Sequence, residues 1–286
     1  MMAIAGPQSN LRLFLLWTAQ LIRQLRRNPQ SAFFTILLPL LVLLLFIAPN
    51  HAKTLRVDGG YVSYVQYFVP AIAAFAIVTS CLTGLVIGVA NERSDGILRR
   101  VRSTPLRPGV YIAARIAASL VLTSATVVVF FAVGVVGFGM QLYPRLLPAA
   151  VLTFVVGAIA FCSLAMALTT VVPNGDAAPA TVNLVVLPMV FISGVFSPLT
   201  GAPTWLLNVA DALPLRHLVR AFGGTFSPYT AGLGFAWNDL WALVLWGVLG
   251  AFIAVKWFRW EPSTERASDR GTGPVGRLLR RADRSG

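Results

Sequence analysis

The chain has 286 residues, 57% of them hydrophobic and only 12% charged, with a mean hydropathy of +0.75. So few charges cannot cover a water-soluble domain of this length, which excludes a soluble globular protein and leaves the bilayer as the solvent. A net charge of +13 would suggest nucleic acid in a soluble protein, but the placement of the basic residues argues for membrane topology instead.

A spanning helix needs about 20 apolar residues, because the hydrocarbon core is roughly 30 Å thick and each residue rises about 1.5 Å. Six stretches qualify, at 32–49, 65–90, 109–139, 147–172, 177–197 and 236–258. Ahead of them, residues 11–28 read as an amphipathic helix. Leu11, Phe14, Leu15, Ile22 and Leu25 share one face, and Arg12, Arg23, Arg26 and Gln30 another. Such a helix lies flat at the cytoplasmic interface. Asn28-Pro29 turns the chain into the first span, where Pro39 removes a backbone hydrogen bond and predicts a kink. No cleavable signal peptide is expected, since the first apolar run begins near Phe33 after a long basic segment.

A short external loop with Pro49, Asp58, Gly59 and Gly60 follows. The second span holds Gly84 and Gly88 in small-xxx-small spacing, which predicts close helix packing there. The third is longer than a bilayer requires and must tilt or project. The turn Pro173-Asn174-Gly175-Asp176 joins the fourth and fifth. Residues 198–235 are too polar and too broken by Pro and Gly to cross. Trp205, Leu206, Leu207, Val209 and Leu213 nevertheless keep them apolar, so they read as short re-entrant or interfacial helices on the external face. Trp237, Trp241, Trp246, Trp257 and Trp260 flank the sixth span as interfacial anchors do, and the Arg-, Ser- and Gly-rich tail from Pro262 reads as disordered.

Charge sets the orientation. Arg12, Arg23, Arg26 and Arg27 precede the first span; Arg93, Arg99, Arg100, Arg102 and Arg107 lie in the 91–108 loop; eight more follow from Lys256. The alternate segments carry only Lys53, Arg56, Arg145, Arg216 and Arg220. Basic residues stay inside during insertion, so both termini and the 91–108 loop are expected in the cytoplasm.

Several chemistries are missing. Lys53-Thr54 has Ala52 where a phosphate loop needs Gly, so the chain has no such loop of its own. No HExxH, Cys/His ligand cluster or GxSxG occurs, so no catalytic residue and no metal site is expected. His51 and His217 read as isolated and external, and Cys81 and Cys162 as small packing residues within spans, without a disulfide framework. All ten acidic residues fall in loops, at span ends or in the tail. Coupled transporters place an ionisable group near the midplane, so here energy must come from a partner.

The most specific stretch is Asn91-Glu92-Arg93-Ser94-Asp95-Gly96-Ile97-Leu98-Arg99-Arg100-Val101-Arg102-Ser103-Thr104-Pro105-Leu106-Arg107-Pro108. By pattern it is a short cytoplasmic helix with Ile97, Leu98 and Val101 on a small apolar face. Glu92 near its start and arginines near its end suit the helix dipole, and Pro105 stops it. From charge alone it could equally be an ordinary positive-inside loop. The stretch resembles the E-R-x-x-G-x-(apolar)-x-R-(apolar)-x-x-T-P loop of permease subunits of type 2 ABC exporters (the ABC-2 type transporter family). A second match runs from Leu187-Pro188 through Ser193-Gly194 to Ser197-Pro198, followed by Pro203, Trp205-Leu206 and Leu213-Pro214-Leu215. Within that family the chain is most similar to daunorubicin-resistance-type drug permeases. It departs at Arg100 and Val101, where many members carry Leu, and in its Arg-rich tail.

The resemblance implies an all-α integral membrane fold: six transmembrane helices, an N-terminal interfacial helix, a cytoplasmic coupling helix, and short external re-entrant helices before the last span. Residues 1–30 would be the cytoplasmic tail and interfacial helix, 31–260 the permease domain, and 261–286 the basic cytoplasmic tail. Glu92, Arg93, Gly96, Ile97, Leu98, Val101 and Pro105 would form the ATPase-coupling helix. Asn183, Phe191 and Ser193 are guesses for the substrate pathway. The implied function is a permease subunit that exports lipophilic or amphipathic compounds (drug, antibiotic or lipid) across the plasma (inner) membrane. Its partners would be a separate cytoplasmic ABC ATPase that binds ATP and Mg, a second permease (identical or a paralogue) and membrane lipid, with no nucleic acid and no cofactor in this chain. The alternatives are a lipid-linked polysaccharide export permease of the same superfamily and a self-contained secondary transporter; an intramembrane hydrolase lacks its acid/base set.

Overall fold

Helix α1 runs over Pro29–Ile47 with the buried Pro39 inside it. The computed structural model describes residues 15, 16, 18, 19, 23, 29–57, 59–97 and 108–257. Of the expected interfacial helix over 11–28, the described positions are helical and Leu15 and Leu16 are exposed; the rest lies outside the described residues, as does the tail from 258 onward.

After α1 the chain forms a β-hairpin, an addition to the expected helices. Strand β1 (Thr54–Val57) pairs antiparallel with β2 (Gly60–Ser63), with Thr54 opposite Ser63 and Val57 opposite Gly60. Asp58, expected in an external loop here, lies outside the described residues. The Asp58-Gly59 pair between short alternating runs is a hairpin signal that the hydropathy reading passed over.

Ser63 then accepts a hydrogen bond from the Gln66 N–H (3.2 Å) and caps helix α2, which runs unbroken over Tyr64–Ser94. Its middle, Thr79–Gly84, widens to π-helix. There the Thr79 hydroxyl donates to the Phe75 and Ala76 carbonyls (3.2 and 3.0 Å), competing with the backbone for them. Helix α3 (Pro108–Ala132) ends in a second π-helical turn over Val133–Gly137. Helix α4 (Leu147–Leu168) follows a 3-10 turn at Pro144–Leu146, and α5 covers Ala178–Ile192. The segment expected to hold short helices contains two, α6 (Thr204–Asp211) and α7 (Pro214–Gly224), before α8 (Trp237–Trp257).

Among the described residues four helices are long and apolar enough to cross a membrane: Tyr64–Ser94, Gly109–Gly137, Pro144–Leu168 and Trp237–Trp257. Two thirds (67%) of the apolar window of α2 is buried, against 22% for α3 and for α8. Helix α2 is therefore the centre of the bundle, packed by α1, α3, α4 and α7, while α3 and α8 turn apolar side chains outward. Val121, Val128 and Val136 on one, and Leu245, Val248 and Val255 on the other, are exposed. Water would penalise so large an apolar surface, and lipid tails would not.

The close helix packing expected at Gly84 and Gly88 is found elsewhere. Gly84 is exposed, and Gly88 makes room for the Arg115 guanidinium, whose Nη1 would lie 3.0 Å from an added Cβ. The tight seam joins α8 to α4. A Cβ on Gly250 would sit 2.8 Å from the backbone of Ser163 and Leu164, and one on Gly247 3.2 Å from the Ala160 Cα. Small-residue spacing reports that helices can approach closely, not which ones do. Cys81 and Cys162 are free and buried, with Cys81 Sγ 3.4 Å from Thr123 Oγ1.

Candidate functional site

The family motif begins inside a helix. Asn91, Glu92 and Arg93 do not open a separate coupling helix but form the last turn of α2, which ends at Ser94. The reason lies at Asp95 and Gly96. Asp95 donates its N–H back to the Asn91 carbonyl (2.8 Å), Gly96 donates to Arg93 (3.2 Å), and Gly96 adopts φ +69°. That left-handed turn closes a helix and favours glycine, which gives the motif's glycine a physical reason. The dipole argument for Glu92 at a helix start is accordingly corrected: it lies at a helix end and is held by specific partners.

Those partners make a buried polar cluster. Glu92 is 8% exposed and Arg93 3%. One carboxylate oxygen of Glu92 pairs with the Arg115 guanidinium and the other accepts from the Tyr111 hydroxyl, both on α3. Arg93 points the other way, donating to the Thr169 carbonyl (3.1 Å) and the Val172 carbonyl at the end of α4. These are carbonyls that a helix terminus leaves without intrahelical partners, which a guanidinium fork satisfies well. The turn after α4 is also fastened here. The Gly175 N–H donates to Ser94 Oγ (2.9 Å), and Gly175 lies against Asn91, whose Cα would be 3.4 Å from an added Cβ. Asn174 in the same turn accepts from the Ala177 N–H (2.9 Å) and starts α5. The root of the motif thus joins α2, α3, α4 and the approach to α5.

Ile97 is half-buried and packs on the hydrophobic core, so part of the apolar face expected to dock outward faces inward. Leu98, Val101 and Pro105 lie outside the described residues. The three pathway guesses are not brought together. Asn183 and Phe191 lie on the exposed side of α5, Phe191 at 69% exposure, with its ring 5.4 Å from that of Phe196. Ser193 is fully buried and donates back to the Met189 carbonyl (2.5 Å). Gly194 follows at φ +84° and its carbonyl accepts from the Tyr67 hydroxyl (2.5 Å), so this second motif also marks a helix end.

A second polar cluster sits at the opposite end of the bundle and was missed in the sequence. His217 is not isolated: Nδ1 is 2.8 Å from Asp239 Oδ1 and Nε2 is 2.9 Å from the Asp211 carbonyl. Arg220 grips Asp239, its Nε 3.0 Å from each carboxylate oxygen. Asp239 is buried in the first turn of α8. The i, i+3 spacing of His217 and Arg220, which puts both on one face of α7, was the available signal. Among the described residues no group of three or more His, Cys, Asp or Glu side chains is placed to hold a metal ion.

Residues 12–226 match the ABC-2 type transporter family. The chain is 31% identical over 233 residues to the "Probable doxorubicin resistance ABC transporter permease protein DrrC" of Mycobacterium tuberculosis, covering 77% of this chain and 80% of that protein. It is 22% identical over 200 residues to the "Probable multidrug ABC transporter permease YbhR" of Escherichia coli, covering 69% of this chain and 54% of that one. The chain spans about half the length of the YbhR protein it matches.

Proposed function

The chain belongs to the ABC-2 type transporter family, and from that premise we propose that it is the membrane-spanning permease subunit of an ATP-driven exporter of lipophilic or amphipathic compounds. A drug-like cargo is favoured by the names of the relatives, which refer to doxorubicin and multidrug transport. The chain works with a separate cytoplasmic ABC ATPase, which binds ATP and Mg, and with a second permease, in the inner membrane with both termini inside. Six spans result when α1, of 19 residues, and α5, of 15, are added to the four long helices.

The observation that carries the reading is the buried root of the motif. The loop from residue 95 leaves the most buried helix through the Glu92–Arg115–Tyr111 and Arg93–Thr169 contacts. A displacement of the loop by an ATPase is then carried into α2, α3 and α4 together, because packed elements held by a desolvated ion pair move as one body rather than bending at the junction. Asn183 and Phe191, on the exposed side of α5, are proposed to face the second permease and the path between the two.

The purified chain is expected to hydrolyse no ATP, and co-expression with its ATPase to give drug-dependent turnover. Leu98→Ala with Val101→Ala removes methyl and methylene groups worth about 0.8 kcal/mol each when fully buried, so ATPase co-purification should weaken by about ten- to a hundredfold, whereas Ile97, which packs on the chain's own core, is left intact. Hydrolysis by the isolated chain, or wild-type co-purification and export in the double variant, overturns the reading.

A further inference from the structure

A cavity of about 530 Å³ opens beside the hairpin, within the size range of small-molecule sites. Its apolar wall includes Val57 and Val62 of the hairpin, Leu199 of the loop after α5, and Leu207 of α6. Its polar wall is α7, with Arg216 and Arg220 facing the same space as Asp211. The frame is stapled by long-range hydrogen bonds. Gln66 donates to the Gln141 and Phe226 carbonyls (2.9 and 2.5 Å), and the Tyr229 hydroxyl donates to the Tyr61 carbonyl (2.9 Å).

The two arginines differ in how they are matched. Arg220 is engaged by Asp239, which sits behind it and does not line the cavity. Arg216 has a side chain only 16% exposed, and its buried Nε makes no hydrogen bond among the described residues. The Asp211 carboxylate is 3.6 Å from that Nε, beyond hydrogen-bond distance, and is itself half exposed. Among the described residues, the cavity wall therefore carries Arg220, already engaged by Asp239, and Arg216, which faces only the Asp211 carboxylate at 3.6 Å, next to apolar side chains. A desolvated guanidinium fork with a spare donor is matched in chemistry by a phosphate or carboxylate oxygen.

We propose that this cavity is a binding subsite for the anionic head of an amphiphile, with Arg216 as the recognising residue and the hairpin and Leu199 side covering the adjoining apolar segment. The shared chemistry is an anionic phosphate or carboxylate on a short apolar body, supplied either by a membrane lipid headgroup or by a soluble acidic amphiphile. The site goes beyond the transport reading, and binding can be read on the chain without ATPase.

The full chain in phosphatidylcholine nanodiscs is titrated with octyl phosphate and, as the cationic control, octyltrimethylammonium. Octyl phosphate should bind and the cation should not. Arg216→Gln should weaken octyl phosphate by about ten- to a hundredfold, the loss expected for a charge-assisted hydrogen bond, and Arg216→Lys should recover part of it. Gly223 lines the cavity and an added Cβ there meets nothing within 4 Å, so Gly223→Leu should fill the space and abolish binding without disturbing the helix. Phosphatidylglycerol added to the disc distinguishes the sources. Competition with octyl phosphate identifies a lipid headgroup and absence of competition a soluble amphiphile; both results keep the site. Equal binding of the anion and the cation, or wild-type affinity in either Arg216→Gln or Gly223→Leu, overturns it. ATPase co-purification, measured on the same variants, should stay at the wild-type level, so failure of the subsite is separable from failure of the exporter reading.

Discussion

The two polar clusters lie near opposite ends of α2, since Gln66 and Glu92 are roughly 40 Å apart along its axis. Each pairs arginine with a buried carboxylate, yet they are built for different tasks. At the motif end, the Glu92–Arg115 pair is largely withdrawn from solvent, with side chains 11% and 16% exposed. At the hairpin end, Arg220 is 43% exposed and the cluster forms one wall of an open space. A sealed ion pair resists being pulled apart, because separating it strands a charge in a poor solvent. A pair beside an open cavity can exchange partners with water or ligand at small cost. The first arrangement suits transmission of force and the second suits recognition.

The largest test of this contrast is Glu92→Ala, which leaves Arg115 buried without its carboxylate. A loss of about 3–5 kcal/mol is expected, read as a marked fall in the apparent melting temperature of the detergent-solubilised chain. The double variant Glu92→Ala/Arg115→Ala should recover part of that loss. If Glu92→Ala melts like the wild type, the buried cluster is not a strut.

Asp239→Ala is the matched deletion at the other end. Because Arg220 can turn toward water, the expected loss is smaller, about 1–3 kcal/mol. A loss equal to that of Glu92→Ala would erase the distinction between the two ends.

Arg216→Gln should change stability by less than about 1 kcal/mol, since only a half-exposed Asp211 at 3.6 Å is lost. A thermal melt should therefore scarcely register a substitution that weakens octyl phosphate binding by about ten- to a hundredfold. Tyr229→Phe is the mildest change. It deletes one exposed hydrogen bond to the Tyr61 carbonyl, with about 0.5 kcal/mol expected and hydrogen exchange of the hairpin amides as the more sensitive readout.

How much of this was legible depended on distance along the chain. The four long apolar helices follow from hydropathy, which neighbouring residues carry by themselves, whereas the helix end at Gly96 falls inside the stretch that reads as one short helix, and the fifth apolar helix ends at Ile192, short of the expected 197. The motif Glu92-Arg93 was visible, but its meaning was not. A Glu and an Arg in a basic loop read as solvated flanks unless it is known that α3 brings Tyr111 and Arg115 to one and that α4 ends beside the other. His217 looked isolated for the same reason, since Asp239 lies 22 residues on. Gly84 and Gly88 had the spacing for a tight seam, yet the seam formed at Gly247 and Gly250, where the facing helix offers Ala160 and a bare backbone.

The sequence by itself determined that this chain lives in a membrane, how its apolar stretches are spaced, and which family it resembles. These rest on the transfer free energy of individual side chains and on short motifs, both of which sum along the chain without reference to its fold. Tertiary structure alone decided which charges are buried, what pairs with them, and that the ion pair near one end of α2 is largely buried while the one near the other end borders a cavity. Such pairings need helices far apart in sequence to pack side by side, because a buried guanidinium is stable only where another element delivers its acceptors.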